Sequence, residues 1–551
     1  MTSRFSNPRT LVATATYNER DNIDLLLQEI FRLQGDLDAL VIDDASPDGT
    51  GDYLRSLAAS NSRLHLVHRS SKLGLGSAHQ LAFLYAIQNG YDRLVTMDAD
   101  ISHDPAEIPL LLDALENSDM VIGSRYAPGG KCDYRGYRRF VSISANTLAR
   151  ILLSIPLHEF TTSFRAFDVA MLRRFRCAKL RSNGYSFFTE TVFRLHSAGF
   201  RITEVPIYFK DRYTGVSKFP AVEIVKGVTK LLRLAASRLT GRNAFKPAAE
   251  IDGDCAHCGA PYLIEIYPAS ARRYGVAADA SAYQCSSFAH KDKPQVVQCL
   301  MCGIVHVPKS QIPEALEDIY RAVEDPTYLN DEKARTRAFE ETLAKISPHL
   351  GPPGKIMEIG AYCGLFLEVA KQAGWQCSGV EPSHWAVQIA AKKDGITVHK
   401  GTLSENLAAL GSGFDAVVAW DVLEHVREPF ELLREVNKLL RPGGVVCFST
   451  LDIDNWFASL LGRHWPWIME MHLYYFSETL LCRWLNDAGY EAVEVSHYTH
   501  FSLLRYICKK AGAIMPRPLC SLLDLVSRSV PAAIVVPVSL GDIKLFIARK
   551  R

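Results

Sequence analysis

Two series of short apolar, β-rich segments, each alternating with helix-length amphipathic segments, dominate the sequence. The apolar segments of these series are 11–15, 40–42, 64–67, 94–97 and 120–122, and then 356–359, 377–380, 416–419 and 445–448. Such alternation is typical of parallel βαβ units, in which helices cover the faces of a sheet. Because 551 residues exceed what one hydrophobic core usually serves, we predict an α/β protein of about three units.

A stretch without periodicity separates the two series. Residues 240–254 collect glycine, proline and charged residues, as linkers do. Residues 255–310 follow and hold five cysteines. The predicted organisation is an amino-terminal domain over 1–240, a linker over 241–254, a cysteine-containing insert over 255–310, a helical connector over 311–350 and a carboxy-terminal domain over 351–551.

Net charge and the lengths of the apolar segments argue against nucleic-acid binding, secretion and a membrane-spanning helix. The formal net charge is +2, so bulk electrostatics does not favour nucleic acid as a partner. No secretory leader opens the chain, and the apolar stretch 529–541 contains two prolines and is shorter than the about 20 residues of a spanning helix. We therefore expect no membrane span and a cytoplasmic location, where the 13 cysteines serve as thiols or metal ligands.

Acidic residues follow two of the predicted strands in the first series. Asp43 and Asp44 come after 40–42, and Asp98 and Asp100 come after 94–97. The carboxyl ends of parallel strands meet at one edge of a sheet, where loops and helix N-termini bind ligands. Carboxylates suit Mg²⁺ or Mn²⁺, which usually bridge to substrate phosphates. The pattern predicts a site for a divalent metal and a nucleotide diphosphate at this edge.

A family resemblance rests on seven segments in fixed order: 16–20, 43–50, 72–76, 97–103, 123–126, 163–165 and 211–218. With them the first half resembles the family 2 glycosyltransferases, and among these the polyprenyl (dolichyl) phosphate mannosyltransferases. The resemblance implies a GT-A fold, which is a Rossmann-like nucleotide-diphospho-sugar transferase fold. It also implies inverting transfer from a nucleotide sugar, with GDP-mannose as the favoured donor, to a polyprenyl phosphate.

The same resemblance implies roles for individual residues. Tyr17, Glu19 and Asp44 would hold the nucleoside, and Asp98 and Asp100 would hold the metal and the diphosphate. Four cations would bind phosphates of the donor or acceptor: Arg125, Arg165, Arg212 and Lys218. Three residues depart from the family pattern, namely Glu159 in place of Asp, Thr162 in place of Gly and Phe188 in place of a polar residue.

Residues 224–239 combine apolar residues with lysines and arginines at helical spacing. Two interpretations stay open, a basic amphipathic helix on an anionic membrane surface and a helix packed on its own domain with a solvated basic face. The first interpretation predicts peripheral binding at the cytoplasmic membrane face.

Two CxxCG sequences lie in the insert, with cysteines at positions 255, 258, 299 and 302. Four thiolates at this spacing suit a structural Zn²⁺ in a zinc-ribbon-like unit. We therefore predict Cys255, Cys258, Cys299 and Cys302 as its ligands. Other side chains stay open as competing ligands: Cys285, His257, His290 and His306.

The second series begins with a glycine loop. Glu358 lies within the segment 356–359, and Gly360 and Gly364 follow it. Glu381 follows 377–380, where a carboxylate can accept from ribose hydroxyls. Together with 414–425, 440–444 and 470–477, this order resembles the class I S-adenosylmethionine-dependent methyltransferases. The nearer match is the branch that begins with a cysteine knuckle.

This second resemblance implies a Rossmann-like domain in which Glu358, Gly360 and Gly364 shape the cofactor loop. Glu381 would bind the ribose, and Asp421 would lie near the methionine end. Tyr362 stands where the loop commonly has glycine. His425 and His472 are candidates to orient an acceptor or act as a base, with a structural role as the alternative.

The sequence thus predicts a bifunctional transferase. The first half would transfer a sugar to a polyprenyl phosphate, and the second would methylate a glycan or related small molecule. An alternative is an active glycosyltransferase whose second half is a catalytically silent binding or scaffold module. The near-neutral charge disfavours a zinc-ribbon enzyme that modifies nucleic acid.

Overall fold

A computed structural model describes residues 4, 5, 7–175, 180, 182, 184, 186–211, 221–240, 251, 253–270, 280–285, 293–504, 507 and 534–551, with the backbone alone for 221–226 and 502–503. The chain divides into two compact units. The first unit is Met1–Ile266 with Gln298–Gly303, and the second is Tyr267–Val297 with Ile304–Arg551. The two cysteine pairs therefore belong to the first unit.

The strands of the first unit are β1 (Thr10–Thr16), β2 (Leu37–Asp43), β3 (Leu64–His68), β4 (Arg93–Asp98), β5 (Met120–Ser124), β6 (Lys131–Cys132), β7 (Arg165–Asp168), β8 (Ile202–Pro206) and β9 (Tyr208–Phe209). Its helices are α1 (Ile23–Arg32), α2 (Thr50–Ser60), α3 (Leu75–Gln88), α4 (Ile108–Leu115), α5 (Gly136–Leu153), α6 (Val169–Phe175), α7 (Ser186–Ser197) and α8 (Ala221–Leu239). Where the chain passes between the units lie β10 (Leu263–Tyr267) and β11 (Val296–Cys299).

Within the described residues, the main sheet of this unit has seven strands in the order β3-β2-β1-β4-β7-β5-β8. The predicted parallel pairing is confirmed for β1 with β2 and β4, and for β2 with β3. Strand β7, which lies outside the predicted series, runs antiparallel to both β4 and β5, so β4 and β5 themselves run in the same direction. The chain leaves β5 at the carboxyl edge of the sheet and begins β7 at that same edge. Because a parallel strand would need a crossover to the opposite edge, β7 runs antiparallel.

Both faces of this sheet are buried, which explains why the strands read as continuous apolar runs. Leu11 and Ala13 pack with α3 on one face, whereas Val12 packs with α1 on the other. The alternation follows from the twofold period of side chains along a strand. The helices on both faces leave the carboxyl edge of the sheet to the loops.

The strands of the second unit are β12 (Val305–His306), β13 (Lys355–Ile359), β14 (Gln376–Glu381), β15 (Ile396–Lys400), β16 (Phe414–Trp420), β17 (Leu440–Leu451), β18 (Tyr474–Tyr475), β19 (Tyr490–His497), β20 (His500–Leu503), β21 (Val535–Val538) and β22 (Ile543–Lys550). Its helices are α9 (Leu316–Arg321), α10 (Glu332–Leu350), α11 (Leu365–Gln372), α12 (His384–Ala390), α13 (Leu403–Leu410), α14 (Pro429–Leu439), α15 (Trp456–Leu461) and α16 (Glu478–Asp487).

Its main sheet, within the described residues, has the order β15-β14-β13-β16-β17-β22-β19. The strands β13 to β17 pair in parallel, which confirms the second predicted βαβ series. The last strand, β22, is antiparallel to β17 and β19. In the part of the chain that the structure describes, no helix is both long and apolar enough to cross a bilayer.

Candidate active sites

The carboxyl ends of β1, β2 and β4 lie side by side in the first unit. The parallel register sets Thr16 opposite Asp43 and Ala15 opposite Asp98. The loop after β1 carries Tyr17 and Glu19, and Asp44 directly follows β2. The fold therefore brings the residues predicted for nucleoside and metal to the same edge of the sheet.

Asp43 stabilises the ends of β1 and β2. Its Oδ1 accepts hydrogen bonds from Thr16 Oγ1 at 3.0 Å and from Ser46 Oγ at 2.5 Å. Its Oδ2 accepts from the backbone N–H of Ser46 at 3.1 Å. Because the side chain is buried and bonded to its own loop and to Thr16 of β1, Asp43 orders the edge on which Asp44 lies.

Asp44 is held by Arg69, a residue that sequence reasoning did not single out. Arg69 is fully buried, and its Nε and Nη2 both contact Asp44 Oδ1. The backbone N–H of Gly74 donates to Asp44 Oδ2 at 3.2 Å. Burial raises the pKa of Asp44, and the Arg69 guanidinium offsets this only in part. The position of Arg69 in the sequence could have indicated this role, because Arg69 directly follows β3, whose carboxyl end lies at this same edge.

Asp98 and Asp100 present hard oxygen ligands next to neutral groups. Ser163 Oγ donates to Asp98 Oδ1 at 2.6 Å, and the Asp98 side chain is 34% exposed. Asp100 is buried, and its Oδ1 accepts from the N–H and the Oγ of Ser102 at 3.1 and 2.6 Å. This donor set fits the predicted Mg²⁺ or Mn²⁺, which prefers carboxylate oxygen and keeps part of its water shell.

His103 lies beneath this pair and stays neutral. The backbone N–H of Asp98 donates to its Nδ1 at 3.2 Å, so Nδ1 acts as the acceptor in this ring. Burial lowers the pKa of His103. A neutral ring leaves the charge of the two aspartates available for a cation.

Arg125 forms a buried ion pair with Glu159. Its Nε lies 2.7 Å from Glu159 Oε2, and its Nη2 donates to Thr161 Oγ1 at 3.1 Å. Burial opposes the charges, but the pairing outweighs it, raising the pKa of Arg125 and lowering that of Glu159. The departure at Glu159 from the family pattern thus sits in direct contact with a predicted phosphate ligand.

Arg165 is also buried, but its contacts are backbone carbonyls. Its Nη1 and Nη2 donate to the carbonyls of Phe188 and Phe160 at 3.1 and 3.0 Å. Its Nε has no hydrogen-bond partner among the described residues, and burial lowers its pKa to about 9. An unsatisfied buried donor on a cation suits an anionic ligand. The other two predicted cations, Arg212 and Lys218, lie outside the described residues.

The loop after β1 is fixed by local contacts. Lys72 Nζ lies 3.7 Å from the centre of the Tyr17 ring. Glu19 Oε2 accepts from Asn22 Nδ2 at 2.8 Å, and the Glu19 carbonyl accepts from the N–H groups that begin α1. Tyr17 is exposed at the site edge; nucleoside contact by Tyr17 and Glu19 stays a prediction.

The four predicted zinc ligands come together. The sulfur atoms of Cys255, Cys258, Cys299 and Cys302 all lie within 4.8 Å of one another. The Cys255–Cys302 and Cys258–Cys299 separations are 3.7 and 3.6 Å. Tetrahedral thiolates at the usual Zn–S distance would be about 3.8 Å apart, so the cluster fits Zn²⁺. Among the described residues, this cluster contains no histidine and no fifth cysteine.

In the second unit, a tight loop joins β13 to α11. Gly360, Tyr362 and Gly364 all have positive φ, with Tyr362 at 45°. A left-handed residue other than glycine costs roughly 1 kcal/mol. Tyr362 packs against Tyr328 with ring centres 4.5 Å apart, which stabilises it there. The loop therefore makes a tight turn with left-handed backbone at Tyr362, where the family commonly has glycine.

Two buried carboxylates lie beside this loop. Glu381 accepts from the backbone N–H of Tyr362 at 2.9 Å and from that of Ser383 at 2.7 Å. Burial raises the pKa of Glu381 to about 7 and that of Glu358 well above its ordinary value. Within the described residues, Glu358 Oε2 and Tyr362 Oη have no hydrogen-bond partner. Orphaned polar atoms around a glycine loop fit a polar ligand such as an adenosyl cofactor.

Asp421 directly follows β16 and has a positive φ of 53°. Ser449 Oγ donates to its Oδ1 at 2.7 Å. Because β16 pairs in parallel with β13, Asp421 and the glycine loop lie at the same edge of the sheet; contact of Asp421 with the methionine end of a cofactor stays a prediction.

Glu424, His425 and His472 form a second cluster, with ligand atoms within 4.8 Å. His425 Nδ1 lies 2.9 Å from the Met471 carbonyl, and His472 Nδ1 lies 2.7 Å from the Trp467 carbonyl. Since a carbonyl only accepts, Nδ1 carries the proton in both rings and the lone pair is on Nε2. Burial lowers the pKa of His425 to about 4. The low pKa keeps the His425 ring neutral, so it is a hydrogen-bonding group here and a weak base.

Sequence reasoning missed two members of this site. Tyr320 OH lies 3.0 Å from His425 Nδ1. Glu424 is fully buried, and its Oε1 has no partner within the described residues. Glu424 adjoins His425 in a segment that carries the family resemblance. Tyr320 lies on α9 in the predicted connector, where no local pattern distinguishes it.

Comparisons with known proteins match a different family in each half of the chain. Residues 11–176 match the family described as glycosyl transferase family 2, and residues 331–495 match the family described as methyltransferase domain. A polyprenol monophosphomannose synthase of Mycolicibacterium smegmatis is 42% identical over 226 residues, which are 40% of this chain and 85% of that protein. The chain belongs to the family 2 glycosyl transferases.

A second relative of this family 2 protein is an undecaprenyl-phosphate mannosyltransferase of Micrococcus luteus. It is 39% identical over 238 residues, 43% of this chain and 98% of that protein. Among solved structures, one match is an S-adenosylmethionine-dependent methyltransferase of Thermotoga maritima, described as a possible histamine N-methyltransferase. The match covers 41% of this chain and 93% of the chain of that structure. That match has 20% identity and a TM-score of 0.29.

The protein is therefore an enzyme with two transferase domains. One is a family 2 glycosyltransferase domain with polyprenol-phosphate mannosyltransferase homologues. The other is an S-adenosylmethionine-dependent methyltransferase domain. We call them the family 2 domain and the methyltransferase domain.

Proposed function

We propose that the family 2 domain transfers mannose from GDP-mannose to a polyprenyl phosphate with inversion. The observation that carries this is the convergence of Asp44, Asp98 and Asp100 at the carboxyl ends of adjacent strands. The names of the two relatives add support, since one is a polyprenol monophosphomannose synthase and the other an undecaprenyl-phosphate mannosyltransferase.

The acceptor chemistry suits this site. A phosphate monoester is anionic near neutral pH, so it attacks the sugar without a strong general base. Catalysis then depends on alignment and on stabilising the departing nucleoside diphosphate. A divalent ion held by Asp98 and Asp100 would neutralise charge on that leaving group. Arg125 and Arg165 would orient phosphates through their guanidinium groups, and Asp44 would hold the nucleoside.

We further propose peripheral association with the cytoplasmic face of a membrane, where the lipid acceptor resides. Helix α5 exposes large apolar side chains, among them Tyr137, Phe140 and Ile151. Arginines at positions 138, 139 and 150 lie on the same helix. An amphipathic basic helix binds anionic lipid surfaces by burying its apolar face. Helix α8 packs on its own domain through the buried Leu231 and Leu234, and it could contact the membrane only through exposed residues such as Leu232.

The methyltransferase domain is proposed to methylate a glycan or related small molecule. Glu358, Gly360, Gly364, Glu381 and Asp421 would hold S-adenosylmethionine, which supplies the methyl group. His472, with its lone pair on Nε2, would accept a proton from the acceptor or orient it. Structural Zn²⁺ is proposed at the four cysteines, whose sulfur separations fit a tetrahedral site.

The alternative of a catalytically silent second half rests on Tyr362, which stands where the cofactor loop commonly has glycine, although the geometry of the loop does not favour that alternative. Its left-handed φ keeps the loop shape, and its ring packs against Tyr328. Binding of the cofactor discriminates between the two ideas.

The test has two arms on the full chain. Nucleotide sugars are screened with a short polyprenyl phosphate and Mg²⁺ or Mn²⁺, and we expect turnover with GDP-mannose. S-adenosylmethionine is titrated calorimetrically, and we expect binding that Glu381→Ala weakens. No transfer from any nucleotide sugar would contradict the first proposal, and no heat of cofactor binding by the parent chain would contradict the second.

A further inference from the structure

The cysteine cluster packs on the family 2 domain rather than standing apart from it. Leu300, between Cys299 and Cys302, is almost completely buried and joins the apolar core formed with α3. The ring of Tyr262 stacks on Tyr85 of α3 with centres 6.2 Å apart. All these residues belong to the first compact unit.

The second CxxCG turn contacts the loop that holds Asp44. A Cβ on Gly303 would lie 2.7 Å from Leu73 Cδ2, so the Gly303 backbone and the Leu73 side chain are in close contact. The carbonyl of Leu300 lies 3.5 Å from Nη1 of Arg69. The turn therefore contacts the loop over 69–77 at Arg69 and at Leu73.

That loop is a connected polar network. Arg69 Nη1 donates to Ser77 Oγ at 2.7 Å, and Ser77 Oγ donates to the Gly74 carbonyl at 2.7 Å. Gly74 in turn donates its N–H to Asp44. A buried ion pair is strong only while water is excluded and each partner keeps its geometry. Loss of the turn's contact with Arg69 would admit water and loosen Asp44.

Metal ligation at the four cysteines would hold this turn in place. Leu300 is flanked by two cysteines of the cluster, and small thiolate sites order their backbone mainly through the metal. We propose that Zn²⁺ at the cysteine cluster positions Arg69 and Asp44 through Leu300 and Gly303, so that metal loading controls nucleotide affinity in the family 2 domain. The inference rests on the proposed function, in which Asp44 binds the nucleoside. Arg69 is a positioning residue in this scheme.

The experiment compares the full chain with Cys258→Ser, Leu300→Ala, Leu300→Met and, as a control for loss of a thiol, Cys482→Ser on α16. Cys258 is the exposed member of the cluster, so its replacement disturbs packing least. Zinc content is measured by elemental analysis, and GDP affinity by calorimetry at saturating Mg²⁺. Donor KM, acceptor KM and kcat are measured for mannosyl transfer.

Cys258→Ser is expected to lose zinc and to weaken GDP binding at least about fivefold, the lower end of typical coupling between sites. Leu300→Ala is expected to keep zinc and still weaken GDP binding. Leu300→Met nearly conserves the side-chain volume and is expected to bind GDP as the parent does. Donor KM should rise in parallel, whereas kcat and acceptor KM stay within about twofold. Cys482→Ser should behave as the parent.

GDP binding at parental strength by zinc-free Cys258→Ser would overturn the inference, and parental binding by Leu300→Ala would overturn the proposed route through Leu300. If Cys258→Ser does not fold, the parent chain stripped of zinc with a chelator and resupplied with Mg²⁺ takes its place, and parental GDP binding by that zinc-free chain would overturn the inference. Failure of the parent chain to bind GDP at all would instead contradict the proposed function, which keeps the two failures distinct.

Discussion

Arg125 Nε lies 2.7 Å from Glu159 Oε2 in a pair that is almost fully buried. Removing one partner of such a pair leaves an uncompensated charge, which typically costs about 3 to 5 kcal/mol. Glu159→Gln is therefore expected to destabilise the family 2 domain by about 3 kcal/mol. Calorimetric unfolding measures this, and tryptophan fluorescence gives an internal reference because all 7 tryptophans lie in the second unit.

A matched control for this prediction is Asp104→Asn. Asp104 pairs with Lys210 at 2.7 Å, but the two side chains are 32% and 43% exposed. Exposed pairs contribute about 0 to 1 kcal/mol. Equal destabilisation by the two substitutions would show that burial of Glu159 does not matter.

Asp100→Asn tests the proposed metal site. The substitution keeps the side-chain shape, and the amide oxygen still accepts from Ser102, but it removes a charge from the predicted ligand set. Mannosyl transfer is expected to fall at least about 100-fold, as losses of transition-state charge stabilisation do. The measurement is labelled-mannose transfer across a Mg²⁺ series. Asp52→Asn, on an exposed face of α2, serves as the control, and undiminished turnover by Asp100→Asn would contradict the assignment.

Cofactor binding is expected to depend on pH through Glu381. Burial raises its pKa from 4.5 to about 7. Ribose hydroxyls donate to a carboxylate but not to both oxygens of a carboxylic acid, so binding favours the deprotonated form. Affinity for S-adenosylmethionine should therefore rise with pH below about 7 and level off above it.

Glu381→Gln is the control for this dependence, because the amide cannot titrate. Its cofactor affinity should be weaker and flatter between pH 6 and 8, measured by calorimetric titration in matched buffers. A parental profile that falls as pH increases over this range would have the wrong sign for a buried carboxylate.

Phe140→Asp tests membrane association through α5. Phe140 is 68% exposed, and burying a phenyl side chain in lipid contributes about 1.5 to 3 kcal/mol. Binding to vesicles of phosphatidylcholine and phosphatidylglycerol should weaken at least about tenfold in a sedimentation assay. Leu460→Asp changes a side chain on α15 that is 70% exposed, and it should leave vesicle binding unchanged. Equal loss in both variants would indicate nonspecific adsorption.

Local patterns were sufficient for most strands and for the edge where ligands gather. The predicted segment 94–97 lies within β4, and 377–380 lies within β14. Apolar periodicity reports burial of each segment by itself, which explains this success. The antiparallel direction of β7 was not predictable in this way, since it depends on where the chain re-enters the sheet.

The repeated CxxCG spacing was also sufficient to predict that four cysteines would cluster, because ligand chemistry restricts thiol partners. It could not reveal that Leu300 would pack on α3. Nor could it identify Arg69 as the partner of Asp44, or Tyr320 as a neighbour of His425.

The amino-acid sequence by itself determined two sheet-containing domains, the acidic strand ends, the glycine loop and the four-cysteine cluster. These follow from periodicity and side-chain chemistry, which act over a few residues. Only the tertiary structure decided which buried charges pair, as in Arg69 with Asp44 and Arg125 with Glu159. The reason is that a charge removed from water must be compensated by whichever group the fold brings within contact, and that group lies far away in the chain.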